Sequence, residues 1–422
     1  MRITRIDWDG ADVAALAARL RPNGSDPATV AAEVAEILDM VREHGDSALL
    51  ELGERFDGIR PQSLRVPTEE IQSASATLDQ SFSEALGVAA ANVRRVAKAQ
   101  LAARPVSVEL PQGHTVAIRE VAVGSAGIYV PGGGAALASS ALMCAIPARV
   151  AGVGRIAVAS PPGPEGRVSA AVLAACDEAG VEEVYAVGGA QAIAALALGT
   201  ETIAPVDLVA GPGNPYTQEA KRQLFGRVGI DGIAGPSELM VILGETVNVE
   251  WIAFDLCAQA EHGADSPLIA TAVEMRILDR LADRVTELAE SRPSVADATL
   301  ALIAVPDTDA ALALANAYAP EHLQIATEDA EIQASSVTTA GCVFVGEYGA
   351  TAFGDYAAGS NHVLPTGGAG RFQGPLGPGA FRRRIANVSL PGPAAEALAP
   401  DVDALARAEG LPVHGESARV RR

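Results

Sequence analysis

The feature that most constrains this chain is a succession of short apolar runs alternating with helix-like segments. Strand-like runs stand at Gly127–Val130, Arg155–Ala159, Glu183–Val187, Asp207–Ala210 and Leu239–Leu243. A second set follows at Leu268–Ala272, Leu300–Val305, Leu323–Ala326 and Cys342–Val345. Helical stretches between such runs are the pattern of parallel sheets covered on both faces. The chain is therefore expected to be an α/β protein with two Rossmann-like units. No strong internal repeat and no low-complexity segment interrupts the pattern.

The flanks read differently. Residues from about Asp26 to Glu54 are expected to be helical, opened by Ser25 or Asp26, with Pro27 in the first turn, apolar residues at Val30, Val34, Ile37, Leu38 and Val41, and Gly45 as the stop. A second helix is expected from Thr68 to about Leu101, where Gly and Pro are nearly absent. After Val345 comes a run rich in Gly and Pro, Gly346 to Gly379. A basic cluster Arg382-Arg383-Arg384, a helix from about Ala394 to Glu409, and a tail with Pro412 and His414 follow.

At 422 residues the chain is expected to hold two principal domains with appendages. A net charge of −21 argues against nucleic acid or an anionic membrane as partner, since both require clustered Lys and Arg. Four scattered cysteines without a Cys-x-x-Cys pair suit a reducing compartment. The first residues lack an apolar signal core, and no run approaches the roughly 18 apolar residues of a membrane span. A cytoplasmic, small-molecule enzyme is the expectation.

Three glycine loops follow strand-like runs: Val130-Pro131-Gly132-Gly133-Gly134, Val187-Gly188-Gly189-Ala190-Gln191 and Ala210-Gly211-Pro212-Gly213-Asn214. In an open α/β sheet such loops border the ligand crevice, and together they point to a nucleotide. None is the ordinary Gly-x-Gly-x-x-Gly fingerprint. Within Cys257–Gly263, Gln259 and His262 are three residues apart, so on a helix both side chains leave one face and could hold one metal ion. Of six histidines, His44 and His114 read as bystanders, while Glu321-His322, Gly354-Asp355, Asn361-His362 and His414 are expected to converge on His262. Their N and O donors suit a catalytic zinc, with Glu321 and His322 left as acid and base. Cys144, in the apolar run Leu142–Ile146, reads as buried and inert.

These residues resemble the histidinol dehydrogenase family. The resemblance runs from Glu54-Arg55-Phe56-Asp57-Gly58 to His414-Gly415-Glu416. Its most specific blocks are Gly127–Gly133, Gly189–Leu196, Gly211–Asn214, Ala234–Glu238, Gln259–His262, Pro320–Leu323 and Gly354–Thr366. It implies two Rossmann-like, aldehyde-dehydrogenase-like domains with small helical appendages at each end. The implied division is an arm over residues 1–25, a discontinuous catalytic and metal domain over 26–115 and 238–372, an NAD domain over 116–237, and a tail over 373–422 that reaches the partner subunit.

By position, the resemblance implies that Gln259, His262, Asp355 and His414 bind Zn2+, and that Glu321 and His322 are catalytic. It implies that Tyr129, Gln191 and Asn214 hold NAD+ and that Ser237 and Glu409 join His322 and the metal ligands around L-histidinol. His362 is expected to support the metal ligands. The implied reaction takes L-histidinol to L-histidine through an aldehyde in a homodimer with shared sites. The chain departs from the family pattern at Gly134–Ala138, at Leu198 and at Phe381–Arg384. Another primary alcohol, such as a sulfonated diol, or a catalytically inactive assembly subunit are the alternatives.

Overall fold

The structure, a computed structural model, describes residues 1–21, 27–101, 106–132 and 137–421. Its strands are β1 (Arg2–Asp7), β2 (Val106–Glu109), β3 (Thr115–Ala122), β4 (Ser125–Tyr129), β5 (Arg155–Ser160), β6 (Glu183–Ala186), β7 (Leu208–Ala210), β8 (Gly229–Ile230), β9 (Leu239–Leu243), β10 (Pro267–Ala272), β11 (Thr299–Ala304), β12 (His322–Ala326), β13 (Cys342–Val345) and β14 (Arg382–Ser389). Six form an all-parallel sheet in the order β1-β11-β10-β9-β12-β13, and five form a second in the order β6-β5-β4-β7-β8.

Central strands such as β9 are buried along their whole length because helices cover both faces of each large sheet. On the six-stranded sheet, Val249–Ala260 and Met275–Glu290 form one layer around Leu256, Leu281 and Val285. Val13–Leu20 and Thr308–Tyr318 form the other around Leu16 and Leu314. On the five-stranded sheet, Gln80–Gln100, Ala138–Ala151 and Ala170–Glu178 cover one face, and Pro27–Asp57, Gly189–Leu198 and Pro215–Leu224 the other. A large aliphatic side chain contributes about 1.5–3 kcal/mol on full burial, so these clusters hold the layers with all four cysteines free. None of the described helices is long and apolar enough to cross a membrane.

Several expectations need correction. Leu239–Leu243, grouped by the sequence pattern with the preceding strands, lies inside the six-stranded sheet. The segment 26–115, expected to go with 238–372, instead buries Val34, Ile37, Leu38, Val41, Ala90 and Val93 against the five-stranded sheet and its helices. Residues 1–25 include an edge strand, β1, in register with β11 from Arg2 against Thr299. The helix ends at Gly45, whose backbone is non-helical at φ 52°, and a second helix runs on from there to Asp57. A side chain at Gly45 would sit 2.2 Å from the Glu201 carboxylate, which accepts the Asp46 N–H at 2.8 Å. The expected helix from Thr68 breaks at Leu78 and Asp79. Ser25, Asp26 and most of the Gly134–Ala138 run lie outside the described residues.

The third sheet, antiparallel β14-β3-β2, was not anticipated. Its strands are half exposed, and β14 comes from the far end of the chain, so neither periodicity nor proximity announces the pairing. The basic cluster is spent in that pairing. Arg382 donates to the Ala151 and Glu120 carbonyls, and Arg384 pairs with the Glu120 carboxylate at 3.1 Å.

Candidate active site

In the five-stranded sheet the chain runs outward from β4 through β5 to β6, then returns to place β7 and β8 on the other side. The reversal falls between β4 and β7, and at such a point an open sheet leaves a crevice beyond its carboxyl ends. Tyr129 ends β4, and its hydroxyl accepts the Gly189 N–H at 3.1 Å. Gln191 is buried in the first turn of Gly189–Leu198. Asn214 caps Pro215–Leu224, its Oδ1 accepting the Thr217 N–H at 3.1 Å. Gly211 has φ 124°, and a Cβ there would stand 2.2 Å from the Tyr129 carbonyl oxygen, so only glycine fits.

Gly211 is also held by a buried ion pair that sequence reasoning missed. Lys221 Nζ lies 2.5 Å from Asp231 Oδ1 and donates to the Gly211 carbonyl at 3.1 Å. Asp231 Oδ2 accepts the Gly211 N–H at 2.8 Å. Both backbone polar groups of the crevice glycine are thereby satisfied. The only sequence signal was a Lys inside an otherwise solvated helix pattern, which by itself reads as surface charge.

The second set of residues gathers at the amino ends of the six-stranded sheet. Helix Thr308–Tyr318 stops at Ala319, in the left-handed region at φ 50°, and Pro320 prevents its continuation. Glu321 and His322 therefore stand where β12 begins. Glu321 Oε2 accepts the Ser237 hydroxyl at 2.5 Å and the Glu238 N–H at 2.9 Å. The Nδ1 of His322 is 3.1 Å from the Glu238 carbonyl, which can only accept, so Nδ1 carries a proton and Nε2 is bare in the neutral ring. That Nε2 is buried without a hydrogen-bond partner and lies 3.5 Å from Asp355 Oδ1.

The charges around His322 are strongly coupled. Burial opposes its cation, but Glu321 at 3.4 Å and Asp355 outweigh burial and push its pKa up to about 10. Burial would raise Asp355, yet His322, helped by His362 and His262, holds its carboxyl below the usual value. Three histidines thus face this one carboxylate.

The helix from Val249 returns antiparallel to β9, so its last turn arrives at the same amino edge. Gln259 is buried, and its Nε2 donates to Ser237 Oγ at 2.7 Å while its Oε1 has no partner. His262 is exposed in the turn two residues past the helix end at Ala260, not within the helix; its N–H still donates to the Gln259 carbonyl at 3.2 Å. His362 Nδ1 lies 3.0 Å from the Asp355 carbonyl and its Nε2 3.0 Å from Ser140 Oγ. Because the carbonyl takes the Nδ1 proton, the Ser140 hydroxyl donates to the neutral ring.

Two expected members are not brought here within one chain. His414 and Glu409 are exposed, and the helix carrying His414, Pro412–Arg419, packs chiefly on Gly392–Ala408. Among the described residues no group of three or more His, Cys, Asp and Glu is close enough to hold a metal ion. Cys144 is fully buried, and burial pushes its thiol far up, which rules it out as a nucleophile.

The family model for histidinol dehydrogenase matches residues 20–422. The chain belongs to the histidinol dehydrogenase family. It is 45% identical over 418 residues to the histidinol dehydrogenase of Ruegeria pomeroyi, covering 96% of this chain and 95% of that protein. It is 43% identical over 397 residues to that of Nitrosomonas europaea, covering 92% and 91%. The crystal structure of histidinol dehydrogenase from Elizabethkingia anophelis is similar across 100% of this chain and 98% of its own, with a TM-score of 0.92 and 32% identity. As a member of the histidinol dehydrogenase family the chain is an oxidoreductase with two mostly parallel sheets.

Proposed function

We propose that this chain oxidises L-histidinol to L-histidine through L-histidinal, with zinc and NAD+. The observation that carries the reading is the buried His322 ring, its Nδ1 3.4 Å from Glu321 and its unpartnered Nε2 3.5 Å from Asp355, in a chain similar over nearly its whole length to histidinol dehydrogenases. Bound against Tyr129, Gln191 and Asn214, NAD+ supplies the hydride acceptor for each half-reaction. The neutral His322 ring, which must first lose the proton that Glu321 and Asp355 favour, takes the alcohol proton at Nε2 as hydride leaves the carbinol carbon. Glu321 takes a proton from water as the water oxygen adds to the aldehyde carbon. Having passed its first proton to solvent, His322 receives the hydrate's hydroxyl proton as the second hydride leaves. One alcohol and one water give one carboxylate, two transferred hydrides and three released protons.

The donor set fits zinc: Gln259 presents an unpartnered buried carbonyl oxygen, and Asp355 a carboxyl kept ionised by its histidine neighbours. Gln259, His262 and Asp355 would hold the ion, which supplies orientation of the substrate's nitrogens. His414 completes the set from a second copy of the chain in a homodimer, and Glu409 reaches the substrate from the same copy, while Ser237 does so from within.

The decisive assay supplies NAD+ with L-histidinol or a sulfonated diol and follows nicotinamide absorbance and product. Histidine with two NADH per histidinol is expected; preference for the diol, or no turnover, overturns the substrate. Metal analysis should find zinc in the wild type and little in His262→Ala. Mixing His322→Asn with His414→Ala subunits should restore about a quarter of the sites, since half the dimers are mixed and each holds one intact site. No restoration after confirmed subunit exchange overturns the shared site.

A further inference from the structure

The carboxylate of Glu238 has no part in the chemistry above, yet it is the point at which four separate segments meet. It is buried, with only 3% of its surface exposed. Its Oε2 accepts the Glu321 N–H at 3.3 Å and its Oε1 accepts the Gly367 N–H at 3.1 Å. Arg21 approaches Oε1 at 3.4 Å. The same guanidinium donates to the Tyr318 carbonyl and lies 4.4 Å from the centre of the Tyr318 ring, three residues before Glu321. The backbone of Glu238 completes the arrangement: its N–H goes to Glu321 Oε2, and its carbonyl receives both the N–H and Nδ1–H of His322. Every atom that fixes the tautomer of His322 or the rotamer of Glu321, apart from Ser237 Oγ, therefore belongs to or is anchored by this one residue.

We infer that Glu238, braced by Arg21, is the positioning residue of the Glu321–His322 pair, holding the imidazole with its Nε2 bare and the carboxylate turned to its side. This rests on the reading of Glu321 and His322 as the acid–base pair. A carboxylate is required because both of its oxygens accept from backbone N–H groups of different segments. The isosteric amide has one acceptor only, so in Glu238→Gln an N–H of either Glu321 or Gly367 faces a donor and must move. Arg21 supplies the counter-charge that makes a buried carboxylate tolerable and is itself partly exposed, so it can be changed with less risk to the fold.

The experiment is a double-mutant cycle on purified, zinc-loaded enzyme, with kcat and KM for L-histidinol, NAD+ affinity and thermal midpoint measured for each variant. Glu238→Gln is expected to lower kcat about a hundredfold while KM and NAD+ affinity stay within a few-fold, because misplacement of reacting groups acts on the chemical step. Arg21→Met should show the same split, and Arg21→Lys should recover most of kcat. If Glu238 acts through Glu321, adding Glu238→Gln to Glu321→Gln should cost little more than Glu321→Gln alone. Additive losses in that cycle, or a rise in KM and a fall in NAD+ affinity that track the thermal midpoint, would overturn the positioning role and leave a purely structural one. Should Glu238→Gln fail to fold, the Arg21→Met and Arg21→Lys pair decides alone: equal kcat in both overturns the inference. Full activity in Glu321→Gln and His322→Asn would instead overturn the underlying acid–base reading, a different outcome visible in the same set.

Discussion

The two parallel sheets use opposite ends. In the five-stranded sheet the conserved geometry of an open α/β sheet puts the crevice at the carboxyl ends of β4 and β7, built from glycine backbone and one buried ion pair. In the six-stranded sheet Glu238, Glu321 and His322 stand at the amino ends of β9 and β12, and the site there is built from side chains. The difference is instructive because the strand-end rule locates ligands only at carboxyl ends. Where it is silent, the chemistry depends on how a returning helix, an Ala319 with left-handed backbone and the stretch Ala234–Glu238 happen to meet. The longer segment Asp231–Glu238 links the two regions: Asp231 holds Gly211 beside one sheet, and seven residues later Glu238 holds Glu321 and His322 in the other.

If the division between a cofactor-holding end and a reacting end is right, mutations should separate by end. The largest effect is expected from His322→Asn, about a thousandfold or more in both half-reactions with NAD+ affinity unchanged. Glu321→Gln should spare alcohol oxidation more than aldehyde oxidation; equal losses would remove the assignment of water activation to Glu321.

At the other end Lys221→Met should leave Asp231 charged and unpaired in the interior. It is expected to cost about 3–5 kcal/mol in denaturant unfolding and to weaken NAD+ binding, while the hydride step in the saturated complex changes little. A variant of normal stability with a crippled chemical step would break the comparison.

A smaller effect sharpens it. Burial, opposed by Arg21 and reinforced by Glu321, raises Glu238 from 4.5 to about 7. Between those values the unfolded chain has already lost the proton that the folded chain keeps, so stability falls as pH rises from about 4.5 to 7. The full span is of the order of 3 kcal/mol. In urea titrations at several pH values the wild type should show this decline, and Glu238→Gln should lack most of it. Identical slopes would mean that Glu238 is as well solvated as an exposed carboxylate.

The α/β architecture was legible because short apolar runs separated by helical periods have few solutions other than parallel sheets, and nine of the eleven strands in those sheets fall within a residue or two of the runs, the edge strands β1 and β8 being missed. Gly211 was legible as well, since glycine there answers a local steric demand that leaves its mark in sequence. Glu321, His322, Gln259 and Asp355 stood out as types and by resemblance. What the sequence by itself could not determine was anything carried by pairing at a distance. The third sheet joins β3 to β14 across most of the chain, the helices of 26–115 choose a face by shape, and Arg21, Lys221, Asp231 and Glu238 gain meaning only from what they touch. A buried ion pair and a surface charge are the same letters; desolvation and partner geometry distinguish them, and both exist only once the tertiary structure has closed around the side chain.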